Sequence, residues 1–352
     1  MILIILRFIL FPFSILYGLV IEIRNGLFDL GILRSVKFPV PVISVGNITA
    51  GGTGKTPFTI YLAYLLKKHF STIAIVSRGY GRKSRGMQLV SDGQQILLDP
   101  SHAGDEPYLI AVHLPDCLVA VSEERSVAVN YLMDNYKPDL ILLDDAFQHR
   151  QVKRDIDIVL VPVKETYTSK FILPTGNLRE YKYNLKRADI LIFTNADTVY
   201  QKITDQYNKY TENIYSSQSK LNQLIDIEFK TAGLLSTVKI KPLLALAGIA
   251  HPVNFKNALI DAGIDISAFQ SFPDHYPFKL SDLEEMIEFC RDEGCQTILC
   301  TEKDLVKIAR LEGLKEKLTK AGIQLFGVRL ELELEQPDQL VKNIKTMLDN
   351  TG

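Results

Sequence analysis

The chain is poor in cysteine, has no surplus of either charge and shows no internal repeat or low-complexity segment. Its four cysteines, Cys117, Cys290, Cys295 and Cys300, are too few for a disulfide framework, and their spacing matches none of the usual zinc patterns. They read as reduced thiols, most of them in core. Lysine and arginine number 40 against 41 aspartate and glutamate, a net charge of −1. That balance argues against a protein held to nucleic acid by a broad basic surface. What remains is an ordinary globular composition, 47% hydrophobic and 23% charged over 352 residues, enough for about two domains with sizeable cores.

The N-terminus departs from that average, because Arg7 is the only charged residue before Glu22. A cleaved signal peptide is not expected, since no basic segment precedes the apolar run and no small-residue cleavage site follows it. A spanning helix fits poorly: Arg7 leaves only Phe8 to Val20, short of the roughly 20 apolar residues needed, and Pro12 would kink it. An interfacial helix fits better. Arg7, Arg24, Arg34 and Lys37 can reach anionic headgroups while leucine, isoleucine and phenylalanine enter the acyl boundary. A helix buried against the domain is the plain alternative.

From Phe38 onward short apolar runs alternate with amphipathic segments, the pattern of a mostly parallel sheet with helices on both faces. Strands are expected at Val40–Val45, Thr72–Ser77, Cys117–Val121, Leu140–Leu143, Ile156–Val161 and Ile190–Thr194. A second series follows at Leu243–Ala247, Thr297–Cys300 and Leu325–Val328. Between them lie a polar tract, Thr198–Asn222, and two extended pieces, Ile225–Lys230 and Thr237–Lys241. The expected division is a hydrophobic membrane-associating segment (1–37), a catalytic α/β domain (38–224), an extended linker (225–241) and a smaller C-terminal α/β domain (242–352) that contributes to the active-site cleft.

The strongest chemical signal is VGNITAGGTGKTP, Val45–Pro57, which follows an apolar run and opens a helical pattern. Strand, glycine-rich loop and helix is the order a phosphate cradle needs. In it Gly51, Gly52, Thr53 and Gly54 turn backbone N–H groups inward, Lys55 supplies a point charge to β/γ oxygens, and the Thr56 hydroxyl can coordinate Mg²⁺. Thr49 stands where the general P-loop pattern has glycine, so the match is the shorter GGxGKT form. Downstream, DLILLDDAFQHR ends an apolar run in Asp144 and Asp145, whose carboxylates can reach a metal held by Thr56. His149 in the same loop reads most simply as a hydrogen-bonded structural residue.

Four further islands are too polar for plain connectors. SRGYGRKSRG sets Arg78, Arg82, Lys83 and Arg85 among Gly79, Tyr80, Gly81 and Gly86, a mobile cationic loop suited to an anionic partner or a solvated basic hairpin. In GDEP, Asp105 opens a helical pattern, where capping alone would justify it. LPTGNLRE places Arg179 and Glu180 after a turn, either near transition-state charge or as a surface pair. FPDHYPF holds Asp274, His275 and Tyr276 before a capping box, Ser281–Glu284. Thr301–Asp304 also reads as a cap, with Lys303 and Asp304 able to face a nucleotide base.

In this order, GGTGKTP, SRGYGR, GDEP, DDAFQHR, LPTGNLRE, AGIAHP and FPDHYPF resemble the tetraacyldisaccharide 4′-kinase family of lipid A biosynthesis, from the N-terminus to about Asp304. Thr49 agrees with that family's form of the loop, and Ala146 stands where many members have glycine. The resemblance implies a P-loop NTPase-like fold and transfer of the ATP γ-phosphate to the 4′-hydroxyl of tetraacyldisaccharide 1-phosphate. It places the enzyme at the cytoplasmic face of the inner membrane of a Gram-negative-type cell. It implies that Asp105 and His275 form the base pair, with Lys55 and Arg179 at the transferred phosphate. ATP would bind along Gly51–Thr56, and Mg²⁺ at Thr56, Asp144, Asp145 and Glu180. Arg78, Gly79, Tyr80 and Arg82 would meet the substrate headgroup. The partners expected are the acylated disaccharide lipid and the membrane surface, with no nucleic acid, and the chain is read as a monomer. A membrane-associated P-loop ATPase switch would show the same loop without needing His275, and a soluble-substrate kinase would leave the apolar N-terminus without a role.

Overall fold

The computed structural model describes residues 2–163, 170–195, 200–238 and 242–351. Its first half holds β1 (Val42–Asn47), β2 (Ile73–Ser77), β3 (Gln88–Asp92), β4 (Leu118–Val121), β5 (Leu140–Asp144), β6 (Ile156–Pro162) and β7 (Ile190–Thr194). β8 (Ile214–Ile225) and β9 (Thr231–Leu234) lie at the junction. β10 (Leu243–Ala247), β11 (Ala268–Ser271), β12 (Thr297–Thr301) and β13 (Gln324–Leu334) make the second half. All join in one sheet of order β11-β10-β12-β13-β8-β7-β6-β1-β5-β2-β4-β3, with β9 beside β8. Pairing is parallel except where β3 meets β4, β8 meets β13 and β9 meets β8. Residues 239–241, at the end of the second expected extended piece, lie outside the described residues.

The apolar runs explain this directly. β1, β2, β5 and β7 are buried along their whole length, as a parallel sheet covered on both faces requires. Successive residues of β1 enter different cores. Ile43 packs with Phe58 and Leu62 of α2 (Lys55–Leu66), whereas Val42 packs with Ala128, Val129 and Leu132 of the helix Arg125–Asn135 on the opposite face.

The sheet passes from one half to the other without a break. β8 and β13 run antiparallel from Ile225 opposite Gly327 to Ser217 opposite Leu334. The tract read as polar connector therefore contains a strand. The C-terminal helix Pro337–Thr351 does not stay with the second half either, since Leu340 and Ile344 share the core of Ile43 and Phe58.

At the N-terminus α1 spans Ile2–Asp29, with Pro12 inside it. Proline removes one backbone donor there, and the remaining ladder carries the helix on. Its segment Ile9–Asp29 is, by length and composition, apolar enough to cross a membrane. One face is docked on the protein: the Ser14 hydroxyl donates to Thr175 Oγ1 at 2.7 Å, the Tyr17 hydroxyl to the Arg179 carbonyl at 3.1 Å, and Asn25 Nδ2 to Glu180 Oε2 at 3.2 Å. The other face leaves Ile9, Phe13, Leu16, Leu19, Val20 and Ile23 more than half exposed. A helix docked by one face with an apolar outer face is not fully buried against the domain, the plain alternative read from the sequence.

Close docking depends on Gly18, where an added Cβ would sit 2.5 Å from the Tyr181 hydroxyl oxygen. Gly18→Leu is therefore expected to lower stability by about 1–3 kcal/mol through overpacking. Adding Tyr181→Ala should restore most of the melting temperature. A single variant as stable as the parent would show that α1 is not seated this tightly.

Candidate active site

The site gathers at the carboxyl ends of β1 and β5, where such sheets place their ligands. The loop after β1 turns through Gly51 at φ 109° and Gly54 at φ 80° and opens α2 at Lys55. Asn47 Nδ2 donates to Thr53 Oγ1 at 2.7 Å and ties the loop's crest to the strand that feeds it. The expected cradle residues Gly51, Gly52, Thr53, Gly54, Lys55 and Thr56 are thus consecutive on a strand–loop–helix corner whose free backbone N–H groups favour phosphate.

Asp144 ends β5 beneath this corner and is fully buried. It accepts from the hydroxyls of Thr59 at 2.9 Å, Thr56 at 3.3 Å and Ser77 at 3.4 Å. Burial, reinforced by the charges of Glu106 and Asp145, pushes its pKa up to about 7. Asp145 behaves oppositely. Burial pushes its carboxyl up, but Lys55 at 3.7 Å and Arg179 at 2.7 Å outweigh that and hold it below the usual carboxylate value. Its φ of 48° is left-handed, a strained state for a residue with a side chain.

Thr56, Asp144 and Asp145 present hard oxygen donors, and the two neighbouring carboxylates, each raising the other's cost of ionisation, are a charge arrangement that a divalent cation relieves. Glu180, expected with them, is placed otherwise. It is 1% exposed and occupied by Arg187 at 2.5 Å, Gln148 at 2.7 Å and Asn25, so it anchors α1 to the loop containing Arg179. Gln148 also donates to the Asn47 carbonyl at 2.7 Å, linking that anchor to the base of the phosphate loop.

GDEP and SRGYGR come together through their glycines. A Cβ on Gly79 would meet the Ala103 carbonyl at 2.8 Å, and one on Gly104 would lie 3.1 Å from the Gly79 Cα. Both residues also have positive φ, 69° and 92°, so glycine is required on both counts. This contact sets Tyr80 beside α4 (Asp105–His113, preceded in the chain by α3, Pro100–Ala103). Asp105 is the first helical residue and not a cap; its Oδ2 lies 3.2 Å from His275 Nδ1. His275, at φ 58°, arrives from the far half of the sheet, and the Tyr80 ring centroid is 5.2 Å from its own.

Other expectations shift. Arg82 is not a free cation of this loop: its side chain is 3% exposed and bonds Glu123, the Gly86 carbonyl and Ser84, whereas Arg78, Lys83 and Arg85 are exposed, with Arg78 near the buried Arg125. His149 is structural, as expected; its Nε2 accepts from the Arg125 N–H, and burial together with Arg125 lowers its pKa to about 4. Asp304 does not face a base. It is fully buried, accepts from the Gly248 N–H at 2.8 Å and the Thr301 hydroxyl at 2.7 Å, and pairs with Lys307. The helix after FPDHYPF begins at Leu280, with Asp282 accepting from the Lys279 N–H, so the capping box lies two residues earlier than the expected Ser281–Glu284. Glu106 and Gln148 were not singled out from the sequence; Glu106 carried one signal, its place next to Asp105 in GDEP.

Comparison with known proteins agrees with this geometry. The family described as "Tetraacyldisaccharide-1-P 4′-kinase" matches residues 6–349. A tetraacyldisaccharide 4′-kinase of Chlorobium luteolum is 39% identical over 332 residues, 90% of this chain and 91% of that protein. The Aquifex aeolicus protein of the same name is 36% identical over 340 residues, 96% of this chain and 98% of its own. A crystal structure described as the "apo" form of LpxK from Aquifex aeolicus in complex with ATP superposes with a TM-score of 0.79 at 35% identity, covering 97% of this chain and 99% of that one. With the phosphate corner, the paired carboxylates and the Asp105–His275 contact in place, the chain belongs to the tetraacyldisaccharide 4′-kinase family.

Proposed function

We propose that the protein transfers the γ-phosphate of ATP to the 4′-hydroxyl of tetraacyldisaccharide 1-phosphate while lying on the cytoplasmic face of the inner membrane. The observation that carries this is the meeting of two sets of residues from opposite halves of the sheet. One is the phosphate corner with Asp144 and Asp145; the other is Asp105 held by His275. A nucleotide switch needs the first set only.

Phosphoryl transfer calls for positioning and charge neutralisation more than for covalent chemistry. The backbone of Gly51–Gly54 and Lys55 would orient the β/γ-phosphates, and Arg179 would face the charge that develops on the transferred group. Lys55 and Arg179 now share Asp145 Oδ1, so both cations are already directed to one point. Thr56, Asp144 and Asp145 would hold Mg²⁺, which when bound neutralises phosphate charge. Asp105 would accept the hydroxyl proton as the oxygen–phosphorus bond forms and ADP leaves. Tyr80, its ring centroid 5.2 Å from that of His275, and the exposed Arg78 would meet an anionic sugar headgroup. The protein would act as a monomer.

The apolar face of α1 supports lying on the bilayer rather than crossing it, because Ser14, Tyr17 and Asn25 bind the catalytic half. A surface-bound enzyme can act on the sugar without extracting acyl chains, each CH₂ of which costs ~0.8 kcal/mol to expose. The test is transfer from radiolabelled ATP to tetraacyldisaccharide 1-phosphate in detergent micelles. Labelled bis-phosphorylated lipid is expected. ATP binding that depends on Lys55, with no labelled lipid, would overturn the proposal in favour of a membrane-bound switch.

A further inference from the structure

Lys303 belongs to neither the phosphate corner nor the sugar approach, yet it is built into the centre of the site. It is the second residue of α9 (Glu302–Ile308), which follows α5 (Arg125–Asn135), α6 (Tyr200–Tyr207), α7 (Pro252–Asp261) and α8 (Leu280–Asp292) in the chain. Its Nζ lies 3.1 Å from His275 Nε2, 3.3 Å from Glu106 Oε1 and 3.4 Å from Asp274 Oδ1, and the side chain is 17% exposed.

That geometry determines where the imidazole proton sits. An ammonium group can only donate, so Nε2 must accept from it. In the neutral ring the proton then lies on Nδ1, which faces Asp105 Oδ2 at 3.2 Å and donates to it. The other charged group near the ring, Asp274, has its Oδ2 3.9 Å from Nε2 and is itself held by Lys303, so it does not displace the ammonium. The platform is firm. The neighbouring Glu302 is buried, accepts two bonds from Arg329 at 2.9 and 2.8 Å and faces His113 Nε2 at 3.1 Å, which fastens α9 to the end of α4.

We propose that Lys303 is a positioning residue that holds His275 in the Nδ1–H tautomer and so makes Asp105 the group that takes the hydroxyl proton. With Nδ1–H donated to Oδ2, the second carboxylate oxygen of Asp105 remains for the substrate. The proton leaves the 4′-hydroxyl for that oxygen as the new oxygen–phosphorus bond forms and the bond from phosphorus to ADP breaks. His275 orients the base without being the terminal acceptor, because its only lone pair is engaged by Lys303. This rests on the proposed kinase reading for the proton's destination, whereas the tautomer itself does not.

The test uses the full-length protein in detergent with ¹⁵N-labelled histidine, the His275 signal being assigned by its loss in His275→Gln. Long-range ¹H–¹⁵N spectra of the wild type should show His275 as the Nδ1–H form. Lys303→Met should move it toward the Nε2–H form usual for free imidazole and lower kcat for lipid phosphorylation by about tenfold or more, with the KM for ATP within about twofold. Lys303→Arg should keep the tautomer and most of kcat. An unchanged tautomer in Lys303→Met, a loss confined to the KM for ATP, or Lys303→Arg as impaired as Lys303→Met would each overturn the proposal. Failure of the kinase reading would appear separately, as a wild type that shows the tautomer and transfers no phosphate to lipid.

Discussion

Asp105→Ala is expected to lower kcat for lipid phosphorylation by about 10²- to 10⁴-fold, the usual contribution of a positioned base. The KM for ATP should stay within about twofold. The structure separates chemistry from folding unusually well at this residue: Gly104 occupies the cap position of α4 without a side-chain bond, and Asp105 meets His275 from outside the helix ladder. Its removal leaves the helix its backbone bonds and the phosphate corner its own residues. Asp105→Asn should be nearly as impaired, since an amide keeps the contact to His275 but takes no proton. Rates within tenfold of wild type, or a defect that saturating ATP repairs, would assign the base elsewhere.

Asp144→Asn should have two opposite effects, abolishing transfer while stabilising the metal-free protein at pH 8 by about 2–4 kcal/mol. The second effect follows from the direction of the pKa displacement. Burial, with Glu106 and Asp145 behind it, lifts the Asp144 pKa from 3.8 to about 7. Over that interval the folded carboxyl holds a proton that the unfolded chain has lost, so stability falls as pH rises and levels off above the folded value. A displacement of that size corresponds to about 4 kcal/mol when the group is fully ionised. Asparagine carries no charge there and can still bond Thr56, Thr59 and Ser77. Thermal unfolding in chelator, without nucleotide, should show the gap between variant and wild type at pH 8 and its loss near pH 4. A gap independent of pH, or a variant less stable at pH 8, would contradict the account.

What the sequence revealed depended on burial. β1, β2, β5, β6, β7, β10 and β12 are covered on both faces, so their apolar runs could be read without a partner in view. β8 could not. Its middle, Gln218–Asn222, is at least partly exposed and polar apart from Leu221, and its pairing with β13 makes it a strand. β3 and β11 are short, partly exposed edges with the same difficulty. Within the site, the phosphate corner was legible because its order is local, from β1 to Thr56. The environment of His275 was not. Lys303, read as a neighbour of the nucleotide base, reaches His275 through the arrangement of β10, β11 and β12, which no spacing encodes. Glu180 was equally illegible, since the resemblance set it with the metal ligands whereas here Arg187 and Asn25 bond its Oε2 and Gln148 its Oε1.

The closing helix Pro337–Thr351 has a consequence for how the protein is made. Leu340 and Ile344 complete the core that also contains Ile43 and Phe58, residues synthesised some three hundred positions earlier. Proteins commonly fold domain by domain as they leave the ribosome, the first-made unit settling before the next appears. Here the first-made half keeps an uncovered apolar face until Pro337–Thr351 has been synthesised, and β8 has no partner on that side until β13 has emerged. The phosphate corner therefore acquires its final support at about the same moment as His275 and Lys303 take their places, so a nascent chain carries neither a finished nucleotide site nor a base.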